Sequence, residues 1–91
     1  METIKTPHPA LVVSFIEAVF DCTDAAFVYH KDGKEVGQVQ LCGSSDGRTY
    51  GYAVTVEVPN EENTFWCNYE VKTKKLAEAQ MLQRLAIYGI I

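Results

Sequence analysis

The stretch EVKTKKLAEAQMLQRLAIYG, Glu70 to Gly89, decides the architecture of this 91-residue chain. It opens as the end of a strand and continues as a helix from about Lys74 to Tyr88. Thr73 stands at the N-cap, where a hydroxyl accepts from one of the backbone N–H groups that a first helical turn leaves unpaired. Met81, Leu82, Leu85 and Tyr88 then share one helical face, with Ala77 and Ala86 at its borders. Gly89 falls just past the end, where a positive φ is required, and Ile90 is placed to close back onto Leu85.

The charge in this stretch runs against the helix dipole. Lys72, Lys74 and Lys75 crowd a terminus whose free N–H groups already carry partial positive charge, which costs about 0.3–1 kcal/mol per exposed cation. A capping box would place Glu or Gln at position 76, and Leu76 is there. A bound phosphate, held by free N–H groups, a hydroxyl and ammonium groups, would offset that cost. The plainer reading pairs Lys74 with Glu78 one turn on and leaves Lys75 in solvent.

Working back from the helix, TFWCNYEV (64–71) alternates Phe65, Cys67, Tyr69 and Val71 against Thr64, Trp66, Asn68 and Glu70. PNEEN (59–63) is a turn. TYGYAVTVEV (49–58) sets Tyr50, Tyr52, Val54, Val56 and Val58 on one face. Before it, AAFVYH and KEVGQVQLC read as strands joined by Asp32-Gly33, whose residues tolerate the positive φ of a tight hairpin. PALVVSFIEAVF (9–20) reads as a helix that opens on proline, with Leu11, Val12, Phe15, Ile16, Val19 and Phe20 apolar and Ser14 and Glu17 opposite.

The expected fold is therefore α+β, in the order α-β-β-β-β-α. A three- to four-stranded antiparallel sheet (25–71) carries an N-terminal helix (9–21) and a C-terminal helix (73–88) on one face, behind a flexible lead of residues 1–8. Ninety-one residues suit a single small domain.

Composition narrows function. The hydrophobic fraction of 47% and charged fraction of 22% fit a folded chain. No apolar run reaches the length of a membrane span, and METIKTPHPA is not a secretory leader, so a cytoplasmic or nuclear setting is expected. Cys22, Cys42 and Cys67 are odd in number and lack metal-ligand spacing, so reduced thiols and no metal are expected. His8 and His30 have no nucleophile or glycine-rich phosphate loop beside them. Catalytic residues and cofactors are accordingly expected to be absent. The net charge of −4 disfavours a nonspecific polyanion binder. All of the net positive charge lies in residues 72–91, where Lys72, Lys74, Lys75 and Arg84 face Glu78 alone.

The run Thr73-Lys74-Lys75-x-Ala77, opening the last helix after three antiparallel strands and an initial helix, resembles the double-stranded RNA-binding domain. The resemblance implies phosphate contacts across the RNA major groove from Lys74 and Lys75, with Lys72, Thr73 and Arg48 supporting. It further implies a minor-groove contact from the first helix, where Glu17 lies on the polar side. This sequence departs from the family at Glu78, where a third basic residue belongs. It also departs at Tyr69 and Val71, where glycines are usual, and at Gln80, where alanine is usual. The function expected is non-enzymatic binding of structured or double-stranded RNA.

The alternative is a small acidic regulator, of the kind viruses and phages use as inhibitors, that occupies a partner protein's surface as a nucleic-acid mimic or otherwise. Trp66, which alternation turns away from the core face, would serve as its anchor. Asp21, Asp24, Asp32, Glu35 and Asp46 would form its acidic surface.

Overall fold

The computed structural model describes residues 5–16, 25–43 and 49–91. Five strands, β1 (Val12–Ile16), β2 (Ala26–Lys31), β3 (Lys34–Gly43), β4 (Thr49–Glu57) and β5 (Phe65–Val71), precede one helix, α1 (Lys74–Ile87). The strands form one antiparallel sheet in the order β1-β2-β3-β4-β5, each pairing with its neighbour in sequence. Helix α1 lies across β3, β4 and β5 on one face. The architecture is α+β, as the alternation and the final helix predict.

The first element differs from its expectation. Residues 12–16 are strand, not helix, and pair with β2 from Val12 opposite His30 to Ile16 opposite Ala26. Because nearly every residue from Leu11 to Ile16 is apolar, the pattern fits either period. The β-branched Val12, Val13 and Ile16 and the aromatic Phe15 favour the strand once β2 offers an edge. The side chains confirm a period of two. Leu11 is buried and Val13 packs against the core, whereas Val12 and Ile16 are 69% and 48% exposed. Phe15 packs against Phe27 across the pair, with ring centroids 4.9 Å apart and the planes tilted by 50°. Residues 17–21 of the expected helix lie outside the described residues.

The core sits between sheet and helix. Tyr29, Val39, Val54, Val56 and Val71 meet Ala77, Met81 and Leu85 of α1, all at most 3% exposed. Gly37 lies beneath Met81. A Cβ there would stand 3.1 Å from the Thr55 carbonyl oxygen and 3.3 Å from Met81 Sδ, so glycine is what lets the helix approach this closely.

Local chemistry sets the turns and ends. Asp32 (φ 53°) and Gly33 (φ 81°) take the two positive-φ positions of the β2–β3 hairpin. The Thr73 hydroxyl accepts from the Leu76 N–H at 3.1 Å. At the other end of α1, Gly89 has φ 72°, its N–H donates to the Ala86 carbonyl, and the Ile90 N–H donates to the Leu85 carbonyl at 2.8 Å. That pair of bonds is the Schellman closure, and Ile90 packs against the core beside it.

Candidate functional site

Strand β5 holds the second correction. Alternation alone puts Phe65, Cys67, Tyr69 and Val71 on the core face. In the structure Val56 pairs with Trp66 and Val54 with Asn68, so Trp66 and Asn68 face the helix. Phe65 and Tyr69 are 48% and 68% exposed on the other side. Between Val54 and Tyr52 the register slips by one, so that Val71 pairs with Tyr52 and returns to the core. A β-bulge therefore reverses the phase within one strand, which a strict period of two cannot show.

The helix side of this region is filled by polar and cationic contacts. Tyr29 donates its hydroxyl proton to Glu78 Oε2 at 2.7 Å. Burial, reinforced by that carboxylate, pushes the Tyr29 phenol far above its ordinary range. Lys74 Nζ lies 3.9 Å from Glu78 Oε2 and 4.1 Å from the centre of the Phe27 ring. Asn68 Nδ2 donates to Gln80 Oε1 at 2.8 Å. The Arg84 guanidinium covers Trp66 at 4.5 Å. The rings of Phe27 and Trp66 each carry a cation from α1 on their face.

Of the residues expected to bind, these contacts place the described ones. Lys74 is turned onto Phe27 and Glu78, which is the plainer of its two readings. The Thr73 hydroxyl caps its own helix. Lys72 and Lys75 are exposed. Trp66 is half-buried under Arg84 on the helix face, and so it is not the exposed anchor that alternation predicts. Asp32 serves the hairpin turn, and Glu35 faces a groove described below. Arg48, Glu17, Asp21, Asp24 and Asp46 lie outside the described residues. Among the described residues, Lys72, Thr73, Lys74 and Lys75 stand together at the start of α1, and Asp32 and Glu35 stand at the β2–β3 hairpin.

On the opposite side of the sheet, Ala26, Val28 and Ala53 are buried. Toward β5 that side opens into a groove of about 340 Å³, lined by Glu35, Gln38, Thr55, Glu57, Phe65 and Tyr69 together with Gly37 and Cys67. Gln38 Nε2 donates to Glu35 Oε2 at 3.1 Å and steadies that carboxylate. Interaction with Cys67 pushes the Tyr69 phenol above its ordinary range. Neither Glu35 nor Glu57 has an ion-pair partner among the described residues, and no lysine or arginine lines the groove. The sequence signal for it was available: Thr55 and Glu57 were legible on the non-core face. Only the phase of β5 hid Phe65 and Tyr69.

Among the described residues no helix is long and apolar enough to cross a membrane. Comparison with family models, with curated proteins and with solved structures returns no match.

Proposed function

We propose that this chain is a non-enzymatic binding module that docks a partner protein on the β4–β5 side of its sheet, opposite the helix. The observation that carries this reading is the exposure of Phe65 and Tyr69 beside an acidic groove. Aromatic side chains spaced along one strand and left open to water are the anchors protein interfaces use. Trp66, the anchor first expected, is replaced in this role by its neighbour Phe65.

The test is retention of partners from an extract of the cells that make the protein. Wild type is compared with Phe65→Ser/Tyr69→Ser and with Lys72→Ala/Lys75→Ala. A protein kept by wild type and by the lysine variant, but lost by the aromatic variant, supports the reading. Equal retention by all three overturns it.

A second reading follows the resemblance to the double-stranded RNA-binding domain, and the exposure of Lys72 and Lys75 on either side of Thr73 favours it. With Lys74 engaged internally, contact with about two phosphates gives a salt slope of about −2, and weak affinity. Titration of a duplex RNA of about 20 base pairs tests it. Binding that fades with salt and is lost in Lys72→Ala/Lys75→Ala supports RNA as the partner; no binding at low salt removes it.

A further inference from the structure

The two sides of β5 differ in one respect that points to the occupant of the groove. On the helix side, Phe27 and Trp66 are capped by Lys74 and Arg84 at 4.1 and 4.5 Å. On the groove side, Phe65 and Tyr69 are exposed, two carboxylates stand among them, and among the described residues no cation is present in the lining. Aromatic faces and unpaired carboxylates attract the same kind of group. That group is a guanidinium or an ammonium.

We infer that the groove accepts an extended, arginine- or lysine-bearing segment of the partner protein, its cations set against Glu35 and Glu57 and over Phe65 and Tyr69. This rests on the protein-docking reading above. Phe65 and Tyr69 lie four residues apart, about 13 Å along an extended chain. A segment with cations at positions i and i+4 matches that spacing, both pointing to the same face. Gln38 holds the Glu35 carboxylate in place by donating to its Oε2.

The probe is a fluorescein-labelled heptapeptide with arginine at its second and sixth positions and threonine elsewhere. Its counterpart has glutamate at those two positions. Binding is read by anisotropy, and its location by amide chemical shifts of the intact protein. The arginine peptide is expected to bind, to shift residues 35–38, 55–57 and 65–69, and to weaken about tenfold or more in Glu35→Gln/Glu57→Gln. The glutamate peptide is expected not to bind. Circular dichroism confirms that the variants are folded.

No binding of the arginine peptide overturns the inference, as does equal binding of both peptides or binding indifferent to the glutamine variant. Protein-concentration-dependent shifts at 65–69 without peptide assign the groove to a second copy and overturn it too. Shifts of the same residues by duplex RNA have the same consequence. Failure of this inference is separable from failure of protein docking. A partner lost by Phe65→Ser/Tyr69→Ser but kept by Glu35→Gln/Glu57→Gln preserves docking and removes the cationic occupant. A partner kept by both variants removes both.

Discussion

Under α1, the sheet presents Val39, Val54 and Val56 fully buried, with the Phe27 and Trp66 rings sealed by cations from the helix. On the reverse of β4 and β5, Phe65 and Tyr69 stand in water beside Glu35 and Glu57. The same strands supply both surfaces, because successive residues point to opposite sides. One set of side chains therefore packs under α1, while Phe65 and Tyr69 of the interleaved set stay open to water. Changes confined to one set should leave the property of the other nearly untouched.

The largest effect expected is in the sealed set. Met81→Ala removes a side chain with no exposure and leaves a cavity, which should cost about 2–5 kcal/mol in urea unfolding. Gly37→Ala presses a methyl group against Met81 and the Thr55 carbonyl, with an expected cost of about 1–3 kcal/mol. Its partial relief in a Gly37→Ala/Met81→Ala double variant would tie the cost to that contact.

Tyr29→Phe leaves Glu78 with Lys74 alone and should cost about 1–2 kcal/mol. It also carries a pH signature. The folded-state pKa of Tyr29 is raised above the unfolded value of about 10. Its contribution is thus fully present below about pH 10 and lost as pH rises beyond it. Urea midpoints measured from about pH 8 to 11 should fall less steeply in Tyr29→Phe than in wild type. Thr73→Ala, which removes the N-cap, should cost about 1 kcal/mol.

The smallest effect belongs to the other surface. Phe65→Ser should change stability by no more than about 0.5 kcal/mol while abolishing partner retention. A loss comparable to that of Met81→Ala would break the division between the two sides.

Much of the fold was legible from residue pattern. The Asp32-Gly33 hairpin, the phase of β4, the Thr73 cap and the Gly89 stop each rest on interactions within a few residues, so local sequence specifies them. Two elements were misread because their cause lies elsewhere in the chain. Val12–Ile16 is apolar enough for either helix or strand, and the edge of β2 decides between them. The phase of β5 depends on a bulge that reveals itself only in register with β4. The candidate site suffered most from this. Phe65 and Tyr69 read as core and Trp66 as turned away from it; the pairing of Lys74 with Glu78 is legible one turn on, but its seat on Phe27, 47 residues away in the sequence, is not.

The order of elements has a consequence for how the chain is made. Each strand pairs with the one just synthesised, so the hairpins zip up by short loop closures, and such local topology favours fast folding. The helix that covers Val39, Val54 and Val56 comes last. Until residues 74–87 fold onto it, the sheet keeps a bare apolar side, and transiently exposed surface of that kind is what makes incomplete chains prone to aggregate.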